Sequence, residues 1–204
     1  TGTFTVQADN IEDPAGNTLG GGLASGIVQG FLPLDVGGPT VLGSSFSCVP
    51  GEIDVFAGGA DIWGASDQGH LTLTPRYGDF DIHAQVQSLT RVDAIAKAGL
   101  MVRENTNANS RTLHNLVNPP VTSAGRDLGE SGQRPHAGAA TALVPGSLSY
   151  YPVGIPDAWV RIQRRGSLYI TYRGWDGVNW IEVGRMNLGY PDPVLIGLAT
   201  TAHN

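Results

Sequence analysis

The chain has 204 residues with 29 Gly, 13 Pro and one Cys, and only 15% of it is charged, against ~25% in an average soluble protein. A formal charge of −6 excludes a surface built to neutralise nucleic-acid phosphates, a lone Cys48 excludes an internal disulfide, and no apolar run approaches the ~20 residues of a membrane span. With 41% apolar residues a core remains affordable, and the length suits one large all-β domain.

Helical spacing of apolar residues is almost absent, whereas short alternating runs bounded by Gly, Pro, Asn and Asp recur along the chain and predict strands. The first is residues 3–8 (TFTVQA). Residues 9–45 follow, rich in Gly, Leu, Pro and Ser with little alternation, and read as a flexible arm. Strands are then expected over 53–56, 69–74 (GHLTLT), 80–88 (FDIHAQVQS), 98–103 (AGLMVR) and 112–117. Residues 118–158 carry Pro119, Pro120, Pro135, Pro145, Pro152 and Pro156 and read as one long insertion; loops beyond ~15 residues are usually functional or disordered. The last third is an antiparallel meander of 159–163, 168–173, 180–186 and 195–200. Its hairpins turn at Arg164-Arg165-Gly166-Ser167 and at Gly174-Trp175-Asp176-Gly177-Val178-Asn179, where Asp-Gly supplies a residue that tolerates positive φ. Many short strands with frequent turns indicate a two-sheet antiparallel sandwich or a barrel.

Four segments, 58–70 (GGADIWGASDQGH), 97–104 (KAGLMVRE), 174–180 (GWDGVNW) and 195–203 (LIGLATTAH), resemble in order and spacing the concanavalin A-like or laminin G-like β-sandwich modules of large exported bacterial proteins. The resemblance covers about residues 40–204. It implies an all-β, antiparallel two-sheet jelly roll over 41–204, an extracellular or cell-surface location, and a non-catalytic role in carbohydrate binding or surface adhesion. Residues 3–19 (TFTVQADNIEDPAGNTL) resemble instead the last strand and exit turn of a bacterial immunoglobulin-like domain. That leaves residues 1–40 as a strand and Gly-rich arm, and a lone alternating strand is a donor for another subunit's sheet edge. The alternative expectation is therefore a structural subunit of an extracellular filament or surface layer, whose partners are other copies of the chain.

Sugars are held by aromatic faces against pyranose rings plus a few directed polar groups. The expected ligand-binding set is Trp63, Trp175, Tyr150 and Tyr151, with Asp67, Asp176 and Asn179 as polar partners. Trp63, Trp159 and Trp180 fall on or next to strand runs and read equally as core or staple residues. Lys97, Arg103 and Glu104 read as cross-strand ion pairs on the solvated face. Glu52-Ile53-Asp54 resembles the start of the Glu-x-Asp strand motif of laminarinase-like retaining glucanases, but Phe56 or Ala57 stands where the acid/base carboxylate belongs, and a retaining mechanism needs both carboxyls. No cofactor is expected. Calcium is the one ion that the acidic turns at Asp61, Asp67, Asp79 and Asp81 leave open, although turn-forming Asp explains them as well. The histidines lack zinc spacing, and no GxSxG elbow is present.

Overall fold

A computed structural model of the chain describes residues 2–5, 30–47, 49–120, 127–146 and 151–204. Among them are strands and no helix: β1 (Gly2–Thr5), β2 (Leu32–Val36), β3 (Ser44–Phe46), β4 (Glu52–Phe56), β5 (Asp61–Trp63), β6 (Ser66–Arg76), β7 (Phe80–Val86) and β8 (Lys97–Arg103) in the first half. The second half adds β9 (Thr112–Val117), β10 (Asp127–Arg134), β11 (Ala142–Leu143), β12 (Tyr151–Val153), β13 (Ala158–Arg165), β14 (Leu168–Gly174), β15 (Trp180–Asn187) and β16 (Val194–Thr201).

The strands form two antiparallel sheets. One has seven strands in the order β15-β14-β13-β7-β1-β4-β3; the other has nine, in the order β11-β10-β9-β8-β16-β6-β2, with β12 added to β10 and β5 to β6. Alternation fixes which face of each strand is dry. In β7, Phe80, Ile82, Ala84 and Val86 are buried while Asp81 is exposed. Its neighbour β13 sends Val160 and Ile162 to the same side, and β4 sends Ile53 and Val55. From the nine-stranded sheet, Leu100, Val102, Leu113, Val117, Ile196 and Leu198 join them in one core. The result is a β-sandwich whose core lies between the sheets.

The nine-stranded sheet is unusual in being dry on its far side too. Leu71, Leu73, Met101, Leu116 and Ala199 point away from the main core and form a second cluster with Val36 of β2 and Ile62 of β5. All seven residues of β8 are consequently buried, which is the pattern of a strand covered on both faces.

Two expectations change. Of residues 1–40, the described segments are part of the sandwich and not of a separate arm: β1 lies inside the seven-stranded sheet, pairing Gly2–Thr5 with Glu52–Val55 and Thr5 with Gln85, while β2 pairs with β6 at the edge of the other sheet. The strand expected to be free for donation is thus hydrogen-bonded on both sides by its own chain. Nor is 118–158 one loop, since it holds β10, β11 and β12. The readings that fall on residues 6–29, on Cys48 and on Tyr150 lie outside the described residues.

Candidate functional site

The β14–β15 turn is built by Asp176. Its Oδ1 accepts the backbone N–H groups of Val178 (2.9 Å) and Asn179 (2.7 Å), and its Oδ2 accepts from Asn179 Nδ2 (2.7 Å). Those donors, the Asn179 side chain first, hold the Asp176 carboxyl below the usual carboxylate range. Gly177 has φ +70°, and a Cβ there would stand 2.9 Å from the Trp159 ring, so the turn rests directly on that indole. With the turn seated in this way, Trp175 is carried outward and is 56% exposed. Asp176 and Asn179, expected as ligand contacts, are instead the hydrogen-bonded frame that presents Trp175.

Trp175 does not stand alone. The Arg173 guanidinium lies 5.2 Å from its ring centre, and Arg173 Nη1 donates to the carbonyl of Pro152 on β12 (2.7 Å), tying the two sheets together at this end. Trp175, Arg173, Pro152, Ile155 and Asp157 line a groove of about 430 Å³. That volume is in the range of small-molecule sites. β12 also carries Tyr151, so the backbone of the expected tyrosine segment reaches the groove's strand.

The groove adjoins the outer face of the seven-stranded sheet, which is open. There Trp159 and Trp180 meet edge to face at 6.4 Å, each with its ring centre 5.7 Å from His83. Arg161 lies over Trp180 at 5.2 Å and over Tyr172 at 5.0 Å. Asp81 accepts both guanidinium ends of Arg161 and also Gln163 Nε2 (2.6 Å). The hydrogen bonds to Asp81 raise the Arg161 pKa above its usual value. Trp159 is buried under the turn and Trp180 is half-buried beside it, which fits the staple role expected for them.

Trp63 and Asp67 lie elsewhere, on the far face of the nine-stranded sheet. Asp67 is 1% exposed, and Arg134 grips it through Nη2 to Oδ1 (2.5 Å) and Nη1 to Oδ2 (3.1 Å), with Arg103 Nη1 at 3.3 Å. Both arginines also donate to loop carbonyls, Arg103 to Asn105 (2.7 Å) and Asn107 (2.6 Å), Arg134 to Ser110 (2.9 Å). Burial, the largest influence, nonetheless pulls the Arg103 pKa down. Asp67 is therefore the anion of a structural network, with its oxygens engaged. Trp63 covers a neighbouring buried group, with Lys97 Nζ 5.3 Å from its ring and His114 tilted against it at 5.9 Å. Lys97 donates to Asp61 (2.6 Å) and lies 3.4 Å from Glu130. The expected site thus divides in two: Trp175 and the Tyr151 strand lie together, while Trp63 and Asp67 belong to a buried network. Lys97 and Arg103, expected on a solvated face, are inside it as well.

The acidic turns are occupied by protein donors. Asp61 meets Lys97, Asp67 the two arginines, Asp81 Arg161, and Asp79 accepts Gly166 N–H (2.6 Å). Among the described residues, no three His, Cys, Asp or Glu side chains converge as metal ligands. On β4, Glu52 and Asp54 share the outer face with Phe56, which stacks on Phe46 at 5.6 Å where a further carboxylate would stand in the glucanase motif.

No protein-family model matches the chain, and no curated protein matches it. Among solved structures it is similar to a functionally unknown protein from Saccharomyces cerevisiae, at 15% identity and a TM-score of 0.54, covering 84% of this chain and 86% of that one. At that identity the likeness is one of fold alone.

Proposed function

We propose that the chain is a carbohydrate-binding or adhesion module of an extracellular or cell-surface protein, a concanavalin A-like jelly roll that takes a glycan, without cleaving it, in the groove beside Trp175. The observation that carries this reading is the exposed indole, held out on a turn whose own polar groups are spent on keeping it there. A surface Trp on a rigid turn offers a pyranose a flat apolar face at little ordering cost. Arg173, held by the Pro152 carbonyl, and Asp157 give the groove a cationic donor and an anionic acceptor. Among the described residues lining it, Asp157 is the one carboxylate, whereas glycoside hydrolysis by the usual routes uses two, which favours a reading of binding over cleavage.

A panel of soluble polysaccharides titrated against the purified chain tests this. At least one should bind, and Trp175→Ala should weaken it by about tenfold or more, a loss of ~1.4 kcal/mol or greater. Absence of binding across the panel, or undiminished binding by the Trp175 variant, would remove the groove from consideration. Assembly by a donated N-terminal strand draws no support from the topology, because β1 is already paired with β4 and β7.

A further inference from the structure

At the edge of the sandwich opposite the Trp175 turn, three strands bring an aspartate, a histidine and a serine into line. Asp35 on β2 is register partner of His70 on β6, and both belong to the nine-stranded sheet. Ser45 arrives from β3, the edge strand of the other sheet, where its partner is the core residue Val55. His70 Nδ1 is 2.9 Å from Asp35 Oδ1, and His70 Nε2 is 3.0 Å from Ser45 Oγ. The imidazole is buried; Asp35 and Ser45 are half-buried, so the line ends near solvent.

Proton direction follows from donor and acceptor inventory. As a carboxylate, Asp35 only accepts, so the imidazole proton sits on Nδ1 and Nε2 is left with a lone pair. Ser45 must then donate to Nε2. Thr72 Oγ1, 2.5 Å from Ser45 Oγ, donates in turn to the serine oxygen. Every proton therefore points the same way, from Thr72 through Ser45 and His70 to Asp35, which is the arrangement of an activated hydroxyl with a general base and its orienting carboxylate. Two backbone features hold it. The Gly43 N–H donates to Asp35 Oδ1 (2.9 Å), and a Cβ on Gly43 would stand 2.3 Å from the His70 ring, so the backbone lies flat against the imidazole.

The surroundings are apolar. Val41 and Leu42, just before Gly43, are strongly exposed, Leu42 at 73%. Such a rim beside a hydroxyl nucleophile suits the acyl chain of an ester.

We propose that Ser45, His70 and Asp35 form an acyl-transfer site for short apolar carboxylic esters. Ser45 Oγ attacks the ester carbonyl carbon while its proton passes to His70 Nε2. The tetrahedral adduct collapses, the bond from carbonyl carbon to alkoxy oxygen breaks, and the alcohol leaves with the proton from His70. Water, giving a proton to His70, then cleaves the acyl–Ser45 ester, and the carboxylic acid departs as the serine hydroxyl is restored. Ser45 and His70 are the catalytic residues, and Asp35 is a positioning residue.

The full chain is treated with a fluorophosphonate probe and, separately, with p-nitrophenyl butyrate. The expected results are phosphonate attached to Ser45, located by peptide mapping of the unaltered chain, and nitrophenolate release that Ser45→Ala reduces to background. Asp35→Asn, which reverses the favoured tautomer, should slow release by about 10²-fold or more and shift its pH profile. A purely structural aspartate would leave that profile where it was. Mapping that finds no phosphonate on Ser45, or release by the Ser45→Ala chain at the unaltered rate, would overturn the assignment; the mapping depends on no variant folding.

Discussion

At His114, burial acts on an imidazole without hydrogen-bond partners. It is fully enclosed with neither ring nitrogen hydrogen-bonded, Lys97 and Arg134 lie nearby, and burial followed by those two charges pushes its pKa down from 6.5 to about 3. The unfolded chain binds this proton near pH 6.5 and the folded one only near 3. Between those values the unfolded state holds more protons, so stability is fullest above pH 6.5 and falls as the medium is acidified. Glu130 works against this. Burial raises its carboxyl above 4.5 despite the pull of Lys97, so the folded form takes up that proton first and recovers some stability on the acid side. Urea midpoints measured from about pH 7.5 to 5 should therefore decline, by at most ~1.4 kcal/mol per pH unit from this residue. His114→Gln should flatten the decline. An unchanged slope in that variant would mean that the imidazole takes its proton without unfolding.

Among the elements, β10 shows how far such a network departs from ordinary strand patterning. Its outward residues Glu130, Gly132 and Arg134 alternate with inward Ser131 and Gln133, so neither face is apolar. Gly132 faces His114 in the β9–β10 register, and a Cβ there would be 2.4 Å from the imidazole and 3.1 Å from Trp63. Both rings are hemmed in, so Gly132→Ala should destabilise the fold by about 1–3 kcal/mol, the usual cost of overpacking, read as a lower melting temperature or urea midpoint. The same chemistry explains why β10 was not legible in the sequence. Strand patterns are visible when one face is oily, as in β7, β9 and β14, and those were expected nearly at their true ends. A strand buried through Arg and Glu looks like a loop. The sites divide similarly. Trp175 could be singled out because a turn is written in adjacent residues, whereas Asp35, Ser45 and His70 come from three strands with sequence separations of 25 and 35 and share no local motif.

At the scale of the whole molecule, the question is what fixes one sheet against the other. Apolar contacts between sheets are not directional, and by themselves they tolerate sliding. Polar bolts supply the direction. Asn115 of β9, wholly buried, donates through Nδ2 across the sandwich to the carbonyls of Tyr172 (2.8 Å) and Arg161 (3.3 Å). Beside it, Ser131 of β10 donates to Thr171 Oγ1 (2.8 Å), which donates onward to the Gly184 carbonyl (3.2 Å). Tyr172 and Arg161 are also the residues whose outward side chains form the cation–aromatic row, so the bolt sets the position of the open face as well as of the core. Asn115→Ala removes a buried donor and opens a void, and should cost about 2–4 kcal/mol in chemical denaturation. Ser131→Ala should cost less, about 1 kcal/mol, because Thr171 keeps its own donation to Gly184. If the bolt also sets the outer face, then the Asn115 variant, still folded at low denaturant, should show altered Trp fluorescence from the Trp159–Trp180 pair while the Ser131 variant does not. Equal spectra from the two variants would confine Asn115 to the core.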